Sequence, residues 1–73
     1  MMNELQRILS DITGLSPEAI TPDLILGNHL DEIDFADLAM RVEEELGIVI
    51  FDENLYSMYT VSDLLAYVEK AEK

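Results

Sequence analysis

Between residues 31 and 46 the chain sets seven carboxylates, Asp31, Glu32, Asp34, Asp37, Glu43, Glu44 and Glu45, against the single Arg41. Ionised carboxylates accept hydrogen bonds and attract cations, so such a cluster suits the recognition of basic groups. Other chemistries fit poorly. Asp31-Glu32-Ile33-Asp34 has neither the spacing nor the glycine of a calcium loop. His29 is the only histidine and there is no cysteine, so a typical zinc site has no ligand set, and no metal is expected. No nucleophile with an adjacent base, phosphate-cradling glycine loop or pair of catalytic carboxylates can be assembled, which argues against an enzyme.

Helix physics sorts the acidic residues into two groups. Carboxylates in a first helical turn face the positive end of the helix dipole and stabilise it by roughly 0.3–1 kcal/mol each. Asp31, Glu32 and Asp34 are in that position if a helix opens at Asp31, whose side chain can cap free amides. Leu30 and Phe35 there stand at the spacing of a hydrophobic staple. Gly47 after Leu46 ends the helix. Glu43, Glu44 and Glu45 then fall in its last turn, where the dipole favours cations, so a selective advantage other than folding is implied for them. A merely solvated acidic face is the competing reading. Leu38, Val42 and Leu46 form the buried stripe of this second helix with Ala39 beside them, while Ile33 and Met40 fall away from it as candidate exposed contacts.

The remaining elements are amphipathic and short. Leu5, Ile8, Leu9 and Ile12 recur at i, i+3, i+4 and i+7, which predicts a first helix over about Asn3 to Thr13, capped by Asn3 with Gln6 three residues on and closed by Gly14. Residues 14–30 contain Gly14, Pro17, Pro22 and Gly27 and read as a long ordered loop. It holds one turn at Ser16-Pro17-Glu18 and is pinned to the core by Leu15, Ile20, Leu24 and Leu26. Ile48 to Phe51 has strand propensity but no partner strand, and is read as an apolar connection. Asp52 is expected to cap a short helix through Met58 that carries Leu55 and Met58 inward. Thr60, with Asp63 three residues on and Tyr59 and Leu64 as a staple, opens the last helix, whose apolar face is Val61, Leu64, Leu65 and Val68. Lys70 and Lys73 near its end complement the dipole.

Composition bounds the rest. Seventy-three residues, 49% of them hydrophobic, support a single domain over residues 1–73 with one core. The longest apolar run, Ile48 to Phe51, is far too short to cross a membrane, and no signal-peptide pattern opens the chain, so a cytoplasmic protein is expected. A net charge of −12 repels phosphate backbones and anionic lipid surfaces. Neither nucleic acid nor membrane is an expected partner, and a monomer is. Repulsion among carboxylates around so small a core predicts a marginal fold that salt strengthens.

The stretch from Leu30-Asp31-Glu32-Ile33-Asp34-Phe35-Ala36-Asp37-Leu38 through Met40-Arg41-Val42-Glu43-Glu44-Glu45-Leu46-Gly47-Ile48 resembles the second helix of acyl carrier proteins and related phosphopantetheine-binding carrier domains. Gly14-Leu15, Ile20-Thr21, Ile50-Phe51-Asp52-Glu53 and Thr60-Val61-Ser62-Asp63-Leu64 extend the likeness over nearly the whole chain. The resemblance implies an all-α, acyl-carrier-protein-like antiparallel four-helix bundle with three longer helices, one short helix and a long first loop. In that family the serine of an Asp-Ser-Leu triplet attacks the pyrophosphate of coenzyme A and becomes a phosphodiester. The matching triplet here is Asp31-Glu32-Ile33, so Glu32 occupies the cofactor-attachment position and no phosphopantetheine is expected in this form.

By the same resemblance, Asp31, Asp34, Asp37, Glu43 and Glu44 meet basic surfaces of synthase, ligase or transferase type enzymes. Ile33 and Met40 supply apolar anchors, and Ile50 and Asp52 extend the surface. Glu32 either suits the dipole where serine's role was lost, or supplies the negative charge that a phosphodiester would have carried at this helix start. Three functions follow: a docking module that cannot take the arm, an ordinary acyl or aminoacyl carrier of fatty-acid or secondary-metabolite biosynthesis whose serine was replaced, or a regulatory or structural interaction protein on a carrier fold.

Overall fold

Four helices, α1 (Met2–Thr13), α2 (Glu32–Leu46), α3 (Asp52–Leu55) and α4 (Val61–Ala71), account for the regular structure of the computed structural model, which describes residues 1–72. Two 3-10 turns, Pro17–Ala19 and Leu26–Asn28, shape the long loop between α1 and α2. No strand occurs among the described residues, and the architecture is all-helical as the periodicities predicted. No helix among those residues is long and apolar enough to cross a membrane. Lys73, expected to complement the α4 dipole, lies outside the described residues; Lys70 stands in the last turn of α4.

The helix boundaries follow the caps wherever side chains make them. At α2 the Asp31 Oδ1 accepts the Asp34 N–H at 2.9 Å and the Asp34 Oδ2 accepts the Asp31 N–H at 3.2 Å, closing a reciprocal capping box. Thr60 and Asp63 build the same box at α4. The Thr60 and Tyr59 backbone N–H groups donate to Asp63, and those bonds hold its carboxyl below the usual carboxylate range. Gly14 (φ 79°) and Gly47 (φ 71°) end α1 and α2 in the left-handed conformation that glycine adopts without a Cβ clash.

Where no side chain caps, the expected boundary moves. α1 begins at Met2 with Met1 as its cap residue, so Asn3 lies inside the first turn instead of capping it. Gln6, freed from that box, donates from Nε2 to the Ile20 carbonyl at 3.2 Å and ties the loop to α1. α3 is capped by Phe51 without a side-chain bond, so Asp52 is its first residue rather than its cap, and the helix stops at Leu55. Leu55 and Met58 are nevertheless buried. Tyr59 is 63% exposed, which makes it a poor staple for the buried Leu64. Its backbone does the positioning instead.

One contiguous core joins all these elements. Leu5, Ile8 and Leu9 of α1, Leu38 and Val42 of α2, Leu55 of α3, and Val61, Leu64 and Val68 of α4 close around it, with Leu46, Leu65 and Ile12 packed against its edge. Ile20 and Leu26 bury the loop's inner side, each contributing about 1.5–3 kcal/mol. Leu15 and Leu24 pack beside them. The loop is further clasped to the start of α4 by backbone bonds: Leu26 N–H to the Tyr59 carbonyl at 2.9 Å, Val61 N–H to the Leu24 carbonyl at 3.0 Å, and Ser62 N–H to the Pro22 carbonyl at 2.8 Å. These satisfy backbone groups that a buried loop would otherwise leave unpaired, and they fix the approach to α2.

Candidate functional site

α2 carries two apolar stripes on opposite sides. Leu38 and Val42 are fully buried, with Phe35, Ala39 and Leu46 packed against the core. Ile33, Asp37, Met40 and Glu44 follow at i, i+4, i+7 and i+11, which puts them on one line along the outer face. Ile33 is 78% exposed and Met40 55%. The outer line thus alternates apolar and acidic side chains, a pattern suited to a partner with both basic and apolar groups. Burial of Leu38 and Val42 fixes which way that line points.

The carboxylates of α2 divide by what they touch. Asp31 and Asp34 cap their own helix, so part of their acceptor capacity is used within the fold. Asp37 Oδ1 accepts from Arg41 Nε at 3.3 Å, and Arg41 Nη1 also lies 3.6 Å from Asp11 Oδ2 on α1. Arg7 of α1 donates to Glu45, and that bond raises the Arg7 pKa above its ordinary value. Glu45 is therefore a clasp between α1 and α2, and Arg41 a second one. Glu32, Glu43 and Glu44 are exposed and form no ion pair among the described residues. Of the three glutamates at the unfavourable end of the helix, one has a structural partner and two face solvent.

Two expected surface residues at the start of α3 separate. Asp52 is exposed, whereas Ile50 is only 6% exposed and belongs to the core, which corrects its expected place on the surface. The reason is alternation along the connection: Ile48 and Ile50 turn inward, and Val49 and Phe51 turn out, 50% and 59% exposed. Ile50, Phe51, Asp52 and Glu53 line an open depression. Sequence reasoning also missed the tilted pair of Phe35 and Tyr56, whose ring centroids are 6.0 Å apart at 57°, joining α2 to α3. Four consecutive apolar residues at 48–51 carry no sequence signal for which of them turn outward.

Position 32 is the first residue of α2 and presents a carboxylate. The serines lie elsewhere. Ser10 of α1 donates to the Leu15 carbonyl at 2.6 Å, Ser57 beyond α3 donates to the Asn54 carbonyl at 2.8 Å, Ser16 precedes the first 3-10 turn, and Ser62 is in the first turn of α4. Among the described residues no group of three or more histidine, cysteine or acidic side chains is arranged to hold a metal ion.

Sixteen acidic against four basic residues leave net repulsion over this surface even after the two arginine clasps. Screening that repulsion should outweigh weakening two exposed ion pairs, because surface pairs contribute little. The melting temperature is therefore expected to rise by several degrees from low to high salt, followed by circular dichroism. A flat or falling curve would show that repulsion does not limit stability.

The family model described as "Phosphopantetheine attachment site" matches residues 3–68. The chain is similar to a meromycolate extension acyl carrier protein of Mycolicibacterium aurum, 32% identical over 71 residues that span 94% of this chain and 73% of the relative. An acyl carrier protein of Rhodococcus erythropolis is 32% identical over 71 residues, covering 94% and 78%. Another, from Coprothermobacter proteolyticus, is 37% identical over 71 residues, covering 94% and 87%.

Proposed function

The chain belongs to the acyl carrier protein family of phosphopantetheine-attachment domains, and from this premise we propose that it is a single-domain docking module without the prosthetic arm. It presents α2 to basic biosynthetic enzymes. The observation that carries this reading is the outer face of α2, where Glu43 and Glu44 stay unpaired at a helix end whose dipole disfavours them, on the same side as the exposed Ile33 and Met40. Charges placed against folding interest are expected where a partner uses them. Asp31, Asp34, Asp37 and Asp52 enlarge the acidic field, which speeds encounter and sets orientation more than it adds affinity.

A phosphodiester-linked arm does not fit the residues at the start of α2, because Glu32 offers no hydroxyl. In this reading its carboxylate keeps negative charge at the helix N-terminus, so a partner that expects charge there still meets it. The module is non-catalytic and monomeric, with a cytoplasmic place alongside its enzymes, and the −12 charge opposes self-association.

The experiment is a sign test on two residues. Glu43→Lys with Glu44→Lys should leave the chain at least as stable as the parent, since lysine suits the helix end. Its association with an immobilised phosphopantetheinyl transferase of broad specificity should slow by roughly tenfold at low salt and lose most of its salt dependence. Association rates unchanged at both salts would leave only a solvated acidic face.

A further inference from the structure

The aromatic pair that joins α2 to α3 has a carboxylate, Asp52, one turn before its outer ring. Phe35 follows Asp31 by one helical turn, with its N–H donating to the Asp31 carbonyl at 3.0 Å, and Tyr56 follows Asp52 in the same way at 3.2 Å. Residues four apart on a helical turn share a face, which puts Asp52 on the face of Tyr56, whereas Asp31 is the cap residue of α2 and turns its carboxylate to the Asp34 N–H. The rings meet at 6.0 Å. Phe35 is partly buried, whereas Tyr56 is 58% exposed, so most of the outer ring stays open to solvent. Asp52 makes no ion pair among the described residues, and the open depression beside it carries the exposed Phe51 and Glu53.

We propose that Tyr56, backed by Phe35 and flanked by Asp52, is a seat for an arginine side chain of the docked partner and prefers arginine to lysine. This rests on the docking reading and deepens it. A guanidinium is planar and weakly hydrated, so it can lie on a ring face while donating in its own plane to a neighbouring carboxylate. An ammonium is compact and strongly hydrated, so it gains less from the ring face and depends more on the carboxylate. The chain does not fill the seat itself, since Arg7 and Arg41 are both engaged between α1 and α2. A second copy brings the same engaged arginines and the same acidic surface. A basic protein partner is the occupant with complementary charge.

The test uses two synthetic peptides of equal length and charge, glycine and serine interspersed with three arginines in one and three lysines in the other, titrated into the full chain by NMR. The arginine peptide should bind about two- to fivefold tighter and move the Tyr56 ring resonances. Tyr56→Leu should erase that preference by weakening the arginine peptide more than the lysine peptide, Tyr56→Phe should retain it, and Asp52→Asn should weaken it. Equal affinity for both peptides, or a preference that survives Tyr56→Leu, overturns the seat. If the peptides bind equally and Glu43→Lys with Glu44→Lys weakens both, the seat fails and the docking surface stands. Absence of binding by either peptide overturns both.

Discussion

Glu32→Ser is expected to gain one phosphopantetheine arm when incubated with a broad-specificity phosphopantetheinyl transferase and coenzyme A, and the unsubstituted chain none. The step needs a hydroxyl that gives up its proton, attacks the pantetheine-side phosphorus of the pyrophosphate and breaks its bridging P–O bond, so that adenosine 3′,5′-bisphosphate leaves and a stable phosphodiester remains. A carboxylate attacking the same phosphorus would form an acyl phosphate, which hydrolyses readily. The surroundings of position 32 otherwise suit the step. Asp31 precedes it, the capping box is closed by Asp31 and Asp34 without the Glu32 side chain, and the position is exposed. Serine there forfeits a dipole interaction of only about 0.3–1 kcal/mol, so the variant should fold. Intact-protein mass reads the outcome as presence or absence. A gain on the unsubstituted chain would overturn the loss of the site, and peptide mapping would then decide whether Ser57 or Ser62 carries the group.

What could be read in advance depended on whether a structural cause was local in the chain. The starts of α2 and α4 were legible because Asp31 with Asp34, and Thr60 with Asp63, make reciprocal bonds across three residues, and Gly14 and Gly47 mark the ends by their φ. α1 and α3 begin where no side chain caps, and there Asn3 and Asp52 misled. The exposed line of Ile33 and Met40 followed from the 3.6-residue period. Glu45 could not be told from Glu43 and Glu44, because its partner Arg7 lies 38 residues away. Ile50 was misplaced for a related reason: a connection without a sheet gives no rule for which alternate residue turns inward. The Phe35–Tyr56 pair is likewise a contact between elements, fixed by how α3 lies on α2.

The second large effect separates the two apolar stripes of α2. Leu38→Ala removes a fully buried side chain from the middle of the core and leaves a cavity that neighbours on α1 and α4 can only partly fill, costing about 2–5 kcal/mol. A small domain has roughly 5–15 kcal/mol in total, so the variant should melt roughly 10–30 °C below the parent. Ile33→Ala, on the opposite side and 78% exposed, creates no cavity and should change stability by less than about 0.5 kcal/mol. Its effect should fall on binding, as faster dissociation from the immobilised transferase with little change in association rate, because short-range apolar contacts act after encounter. Thermal melts and surface kinetics on the same two variants therefore give opposite patterns. If Ile33→Ala left dissociation unchanged, the outer stripe would be ordinary exposed surface, and the alternation of Ile33, Asp37, Met40 and Glu44 would have no binding role. If Ile33→Ala destabilised the chain as Leu38→Ala does, α2 would be turned differently from the orientation in which Leu38 and Val42 close the core.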